Sequence, residues 1–285
     1  MVIFDGMKQG QVKYGNSTIH YCKWGAGTEL LIAIHGFGED STSYACIGEN
    51  LPREFSLIAL DLPKHGSTEW KDASAITPHE LLSVIQRLCA EGGIDGSVFG
   101  LIGYSMGARI ALSLYETDSK SIAQLLLLAP DGLSMHFIYW LSTQTTVGRG
   151  MFRWTVQHPK PFLQIASFAR RTGIIKESRM RFAKLYLQQE TTRKQVYEIW
   201  TAFRKFRPDR KKIALLLHRH QTPITLVFGK NDPVIQSSLG EDFRQHAKSE
   251  IGLEILDSGH QLLHEKHARQ ICSLLKIQNQ TNLKQ

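Results

Sequence analysis

The stretch that decides the fold runs from Ser97 to Arg109 and reads Ser-Val-Phe-Gly-Leu-Ile-Gly-Tyr-Ser-Met-Gly-Ala-Arg. Its first half is a short apolar run typical of a buried β-strand, and an apolar helical pattern begins at Met106. Between them lies Gly-x-Ser-x-Gly, with Ser105 at its centre. A turn this tight between strand and helix requires the glycines and projects the serine from the top of a sheet. The pattern predicts that Ser105 is a nucleophile.

Similar apolar runs, each followed by a polar or glycine-rich turn, occur on both sides of this stretch. They occupy residues 29–34, 55–60, 122–128, 223–228 and 252–256, and residues 10–24 resemble an antiparallel hairpin at a sheet edge. Strands that alternate with helices predict an α/β fold with a mostly parallel eight-stranded sheet flanked by helices. In such a sheet, ligands bind at the carboxyl ends of the strands.

The middle of the chain has a different character. From residue 133 to residue 220, aromatic and aliphatic side chains alternate with many Arg and Lys at helical spacing, and no strand-like run occurs. We therefore expect a helical cap at 133–220, inserted into a core domain that is formed by residues 1–132 and 221–285.

The composition of the 285 residues is that of a globular protein, with 42% hydrophobic and 21% charged residues. The sequence contains no run of eighteen apolar residues, so we expect no membrane span. The first residues lack the pattern of a secretory signal. The four cysteines are scattered and form no metal-type pair. We expect reduced thiols, a cytoplasmic location, and neither metal nor cofactor.

The positive net charge of +8 is concentrated in one segment. Residues 131–220 contain 18 Lys or Arg and 5 Asp or Glu, which gives +13, while the rest of the chain carries −5. Three interpretations stay open: attraction of an anionic small-molecule substrate, contact with an anionic membrane through segments such as Phe203–Arg207 and Arg210–Lys212, or a solvated face without a role. No recognition motif indicates nucleic-acid binding, and nothing indicates an oligomeric state.

The chemistry of a serine nucleophile requires a base, and the base requires an acid that fixes its tautomer. After Ser105, two candidates follow predicted strands in a suitable order: Asp232 in Gly-Lys-Asn-Asp-Pro and His260 in Asp-Ser-Gly-His. Asp131, which also follows a strand, is an alternative acid. The sequence therefore predicts Ser105, His260 and Asp232 as the catalytic residues, with Asp131 as the competitor of Asp232.

Two backbone N–H groups are candidates for stabilising an oxyanion. Met106 begins the helix after the serine, where N–H groups lack helical acceptors, and Phe37 lies in His35-Gly36-Phe37-Gly38 just past a buried strand. His35 and Gly36 are counted with this loop as candidates for substrate binding, and His35 has the alternative role of orienting the loop.

Three histidines near the C-terminus have a spacing that two structures could explain. His260, His264 and His267 are four and three residues apart, as in a metal site or on a solvated helix face. No carboxylate or cysteine completes a ligand set, so the solvated face is the prediction.

Taken together, these motifs resemble the α/β-hydrolase fold superfamily over residues 10–277. The matching segments are 35–38, 61–67, 103–107, 229–232 and 258–260. The resemblance implies a serine hydrolase with a Ser-His-Asp triad. In this superfamily the turn that carries Ser105 is called the nucleophile elbow. A serine at the elbow argues against dehalogenase and epoxide-hydrolase chemistry, which uses Asp there. The elbow is also similar to that of the menaquinone-pathway synthase that eliminates pyruvate. In that family an arginine after the elbow binds substrate carboxylates, which implies this role for Arg109; a salt bridge is the alternative.

Three hypotheses about function follow. The first is a serine hydrolase that acts through an acyl-enzyme on a small carboxylic ester or a related acyl or C–C bond substrate. The second is a synthase-like lyase, in which Ser105 and His260 serve proton abstraction. The third is a non-catalytic binding protein on the same fold. An acyl-enzyme separates the first from the second.

Overall fold

The computed structural model describes residues 6–71, 75–134, 137–161, 189–247 and 249–277, together with residue 164. The chain forms two compact units. The first contains Met1–Ala73, Thr77–Ser134 and Phe206–Gln285, and the second contains Ser74–Ile76 and Met135–Lys205. Residues 165–188 of the predicted cap lie outside the described residues.

The first unit contains an eight-stranded sheet, which confirms the predicted α/β fold. In chain order the strands are β1 (Lys8–Tyr14), β2 (Ser17–Gly25), β3 (Glu29–Ile34), β4 (Phe55–Leu60), β5 (Phe99–Tyr104), β6 (Ile122–Leu128), β7 (Ile224–Gly229) and β8 (Ile251–Leu256). Their order across the sheet is β1-β2-β4-β3-β5-β6-β7-β8. β1 and β2 form the predicted antiparallel hairpin, and β2 pairs antiparallel with β4. All further neighbours in the sheet, from β4 through β3, β5, β6 and β7 to β8, are parallel.

The central strands are buried on both faces, which is why their sequences are continuously apolar rather than alternating. Every residue of β4 and β5 is buried, and five of the six residues of β3 are buried. Because β3 to β8 run parallel, their carboxyl ends meet at one edge of the sheet. The motifs that the sequence analysis identified follow these ends.

Helices of the first unit pack beside this sheet. Their bounds are α1 (Ala45–Glu49), α2 (Pro78–Glu91), α3 (Met106–Thr117), α7 (Arg210–His220), α8 (Ser238–His246) and α9 (Glu265–Cys272), preceded at α1 by a 3-10 turn at Ser41–Tyr44. Thr77 and Glu80 form a capping box at the start of α2. α9 begins at Glu265 because His264 has extended dihedrals and caps the helix with its side chain, which accepts from Lys266 N–H.

The second unit is helical in its described part. It contains α4 (Phe137–Gln144), α5 (Thr146–Gln157) and α6 (Glu190–Ala202). Aromatic rings join these helices: Tyr139 meets Trp200 with ring centroids 5.1 Å apart, and Phe152 meets Tyr197 at 5.3 Å. The compact units divide at residue 205, whereas the sequence analysis placed the second boundary at 220, so α7 belongs to the first unit. Among the described residues, no helix combines the length and apolar character of a membrane span.

Candidate active site

The site is built around the turn between β5 and α3. Ser105 sits in this turn with φ 51° and ψ −115°, a backbone conformation that L-residues seldom adopt. Its N–H donates to the Leu128 carbonyl of β6 at 2.9 Å, and its own carbonyl accepts from Ala108 and Asp131. These hydrogen bonds hold the strained turn in place and present the serine side chain above the sheet edge.

Two glycines allow strand and helix to approach as closely as they do. A Cβ on Gly107 would lie 1.9 Å from the Ile34 carbonyl oxygen at the end of β3. A Cβ on Gly103 would lie 2.6 Å from Ala108 Cα. Backbone atoms cannot move aside as a flexible side chain can, so neither position tolerates a larger residue. The Gly-x-Ser-x-Gly spacing is thus explained by the packing of α3 on the sheet.

The structure brings Ser105, His260 and Asp232 together in one row of hydrogen bonds. His260 Nε2 is 3.1 Å from Ser105 Oγ, and His260 Nδ1 is 2.7 Å from Asp232 Oδ2. A carboxylate only accepts, so Nδ1 carries the proton and Nε2 is left to accept from the serine hydroxyl. The serine comes from the β5 turn, the aspartate from the loop after β7 and the histidine from the loop after β8. This row has the geometry of a nucleophile, its base and an orienting acid.

Asp232 is buried beneath His260 and ionised. Burial raises the pKa of this carboxyl, but hydrogen bonds from His260 and from the Ile235 and Val234 N–H groups outweigh burial and lower it below its usual value. The two N–H groups donate to Oδ1 at 3.0 and 2.7 Å, which leaves Oδ2 for the imidazole. The carboxylate is therefore charged at neutral pH and fixed in direction.

The competing carboxylate, Asp131, has a different partner. Its Oδ2 lies 3.4 Å from Arg109 Nη1 across the turn after β6, and Arg109 is only 5% exposed. The arginine that the resemblance proposes for binding substrate carboxylates is thus buried against a protein carboxylate, the salt-bridge alternative of the sequence analysis. His260 binds Asp232, and Asp131 binds Arg109.

The loop after β3 is organised by His35, which is fully buried. Leu62 N–H donates to His35 Nε2 at 3.0 Å, so the other ring nitrogen, Nδ1, carries the proton and donates to the Gly36 carbonyl at 2.8 Å. This arrangement matches the loop-orienting alternative for His35. The Gly36 carbonyl and the Phe37 N–H belong to one peptide group, so the hydrogen bond from His35 also fixes the direction of the Phe37 N–H. At the start of α3, the Met106 N–H has no acceptor among the described residues.

We predict that His35 lowers the free energy of unfolding as the pH falls below 6.5. Burial, together with the neighbouring His65, lowers the pKa of His35 to about 4. The unfolded chain, with an ordinary histidine, therefore binds a proton between pH 6.5 and 4 that the folded chain does not, and stability falls as the pH falls through this range. The full loss is about 3 kcal/mol. Urea unfolding at several pH values measures it.

The control for this prediction is His35→Gln, whose side-chain oxygen can accept from Leu62 N–H without titrating. The wild-type and variant free energies of unfolding should differ in slope between pH 6.5 and 4, and run parallel above pH 7. Parallel curves throughout would contradict the assignment of a neutral, buried His35.

A polar network that the sequence analysis missed supports the histidine loop. Tyr104 Oη lies 3.1 Å from the His260 carbonyl oxygen and 3.0 Å from Gln261 Oε1. Gln261 Nε2 reaches Glu39 Oε1 at 3.5 Å, and Glu39 Oε2 accepts from Gly36 N–H at 3.3 Å. Burial raises the pKa of Glu39, against the opposing effect of these hydrogen bonds. The network links the loop after β3 to the loop that carries His260.

We predict that Tyr104→Phe lowers kcat by up to about tenfold and leaves KM nearly unchanged, because one buried hydrogen bond contributes about 1 kcal/mol. The hydroxyl holds the His260 loop but does not form part of the row itself. Tyr115→Phe is the matched control, since that buried hydroxyl binds Thr222 instead. Equal losses in the two variants would show a general packing effect.

Among the described residues, no group of three or more His, Cys, Asp or Glu is placed to hold a metal ion. His260 lies in the loop after β8, His264 caps α9, and His267 is buried in the first turn of α9. The three side chains therefore do not share one solvated helix face, which corrects that interpretation of their spacing.

Comparison with known proteins gives the family. A family model described as the alpha/beta hydrolase fold matches residues 29–267. The chain belongs to this family. A thermophilic esterase from Thermogutta terrifontis has the same fold, with a TM-score of 0.64, 18% identity, and coverage of 94% of this chain and 96% of the esterase.

Curated relatives with different printed activities match parts of this alpha/beta hydrolase. An acetyltransferase component of the acetoin cleaving system from Cupriavidus necator is 29% identical over 40% of this chain and 30% of its own length. Monoacylglycerol lipase abhd6-A from Xenopus laevis is 26% identical over 45% and 39%. A 2-succinyl-6-hydroxy-2,4-cyclohexadiene-1-carboxylate synthase from Enterobacter is 33% identical over 30% and 31%. Each match spans less than half of the relative's length.

Proposed function

We propose that this alpha/beta hydrolase is a serine hydrolase that cleaves a small carboxylic ester, or a related acyl compound, through an acyl-enzyme. The observation that carries the proposal is the hydrogen-bonded row of Ser105, His260 and Asp232, with distances of 3.1 and 2.7 Å. A serine in this setting has both the base that takes its proton and the acid that fixes the base. Relatives with lipase and esterase names support the same class.

The proposed first step is attack on the substrate carbonyl. His260 Nε2 takes the hydroxyl proton while Ser105 Oγ bonds to the carbonyl carbon, and Asp232 stabilises the imidazolium that forms. The carbonyl oxygen becomes an oxyanion, for which the Met106 and Phe37 N–H groups are the proposed donors. Loss of one such donor typically costs about 10²–10³ in rate.

The second half of the cycle releases the acyl group. The imidazolium of His260 gives its proton to the leaving alcohol, which departs and leaves an ester on Ser105 Oγ. Water then enters, loses a proton to Nε2 and attacks the acyl carbon, and collapse of this intermediate returns the proton to Ser105. Each proton that the histidine accepts is given back, so no cofactor takes part in the proposed hydrolysis.

The experiment that tests the proposal is labelling of the purified protein by a fluorophosphonate, followed by peptide mapping. We expect one phosphonyl group on Ser105 and parallel loss of activity on p-nitrophenyl acetate and butyrate. A folded protein that stays unlabelled and inactive on both esters would overturn the proposal.

The second candidate is a lyase that eliminates pyruvate, and the similarity to the Enterobacter synthase favours it. Its substrate carries carboxylates, for which Arg109 is the implied ligand, yet Arg109 is buried against Asp131 in this structure. Release of pyruvate, measured with lactate dehydrogenase and without an acyl-enzyme in mass spectra, would establish the lyase in place of the hydrolase. Absence of both labelling and turnover would favour the third hypothesis, a binding protein.

A further inference from the structure

Helix α5 has an exposed apolar stripe on the side opposite its contact with α6. Val147, Met151 and Trp154 are 75%, 64% and 48% exposed, and their spacing of four and three residues places them on one face of the helix. The opposite face packs inward through Phe152, whose ring contacts Tyr197, and through the buried Val156. The helix is therefore apolar on both sides, although only one side is needed for its packing.

The end of α4 extends this stripe. A Cβ on Gly148 would lie 1.8 Å from the Leu141 carbonyl oxygen, so the two helices meet here without a side chain between them. Leu141 is itself 39% exposed, and its carbonyl oxygen lies beside the first turn of α5. Exposed apolar residues that adjoin one another mark interaction sites more often than scattered ones do.

The segment of sequence that contains this patch carries charge of one sign. From Gly132 to Lys176 the sequence contains six Lys or Arg and no Asp or Glu over 45 residues. The second unit carries 13 Lys or Arg and three Asp or Glu, a net charge of +10, whereas the remainder of the chain carries 21 and 23, a net charge of −2. The net positive charge of the chain thus lies entirely in the unit that exposes the stripe.

We propose that the apolar patch of Leu141, Val147, Met151 and Trp154 docks on the surface of an anionic phospholipid bilayer. Apolar side chains that enter the boundary between headgroups and acyl chains bind by hydrophobic burial, and tryptophan prefers that boundary. Lysine and arginine near an anionic leaflet add electrostatic attraction. A partner of this chemistry matches both the apolar stripe and the net positive charge of the second unit.

The proposed patch is not the surface that the sequence analysis considered. The segment Phe203–Arg207 was one expected membrane contact, but Phe203 and Phe206 are fully buried. Their aromatic side chains belong to the packed interior, so they are not available to a lipid surface. The proposed patch on α4 and α5 goes beyond the proposed function and does not depend on it.

The test is co-sedimentation with vesicles, using the full chain with Ser105→Ala so that lipid hydrolysis cannot affect binding. One set of vesicles contains phosphatidylglycerol and phosphatidylcholine, and the other contains phosphatidylcholine alone. We expect binding to the anionic vesicles, and the triple variant Val147→Ser/Met151→Ser/Trp154→Ser should weaken it more than tenfold. Raising the salt concentration from 0.05 to about 0.5 M should weaken it as well.

The matched control is Leu215→Ser on α7 in the first unit, because Leu215 is 56% exposed and follows Lys211 and Lys212. This variant should bind as the parent does, and circular dichroism should show that all variants are folded. Equal binding of the triple variant and the parent, or no preference for anionic vesicles, would overturn the proposal. So would a parent dimer, seen by light scattering, that the triple variant abolishes, since the patch would then be an interface between copies.

Discussion

Ser105→Ala should abolish fluorophosphonate labelling and lower ester hydrolysis by a factor on the order of 10⁴–10⁶, while the protein stays folded. The variant keeps the packing of the turn, because the groups that hold the turn to β6 and α3 are backbone atoms. It removes only the oxygen that His260 Nε2 contacts at 3.1 Å. Mass spectra after labelling and initial rates on p-nitrophenyl acetate measure the two losses.

Ser113, on the helix α3 that follows the turn, offers a matched control. Ser113 is a buried serine of α3 whose hydroxyl donates to the Arg109 carbonyl and does not contact the row of Ser105, His260 and Asp232. Ser113→Ala should label at the wild-type rate. Continued labelling of Ser105→Ala on another serine, with activity retained, would refute the role of the β5 turn.

Asp232→Asn should lower kcat by about 10⁴-fold with little change in KM, because an amide in place of the carboxylate no longer fixes the proton on His260 Nδ1 or stabilises the imidazolium. The two N–H groups that donate to Asp232 Oδ1 can donate to the amide oxygen of the asparagine instead, so the loop geometry is kept. The amide nitrogen then faces His260 and favours the tautomer that cannot accept from the serine.

Asp131→Asn is the comparison that separates the two carboxylates. It removes the charge that faces the buried Arg109, so we expect a loss of roughly 1–3 kcal/mol in the free energy of unfolding. Its kcat should stay within about threefold of wild type, in contrast to the loss in Asp232→Asn. A severe loss of kcat in Asp131→Asn, with wild-type turnover in Asp232→Asn, would assign the acid to the strand β6 turn instead.

The parts of the fold that the sequence predicts well are those with a local cause. β4 and β5 are buried on both faces, so burial itself makes their sequences continuously apolar. The capping box of Thr77 and Glu80 marks the start of α2 because both partners lie within one turn. Gly103 is equally local, since a Cβ there would meet Ala108 of the same turn, whereas the contact that Gly107 avoids is with Ile34 on the neighbouring strand β3.

What the sequence does not reveal depends on contacts between distant parts of the chain. Tyr104 and Gln261 meet although 157 positions separate them, and neither periodicity nor spacing carries that information. The sequence leaves Arg109 open between a substrate ligand and a salt bridge, and only the turn after β6, where Ala129 has φ 43°, brings Asp131 to it. The spacing of His260, His264 and His267 misleads for a related reason: His260 lies before the helix begins.

The pairing of β6 with β7 has a consequence for how this chain can vary. These strands are neighbours in the sheet, yet Leu128 and Val227 are about a hundred residues apart along the chain, and Met135–Lys205 lies between them. Closing a flexible loop costs only about 0.6 kcal/mol more for each doubling of its length. In the sequence, Ser105 precedes the segment Met135–Lys205, and Asp232 and His260 follow it. A change in the length of the intervening segment therefore adds little loop-closure cost, while the three side chains stay at the ends of strands of one sheet.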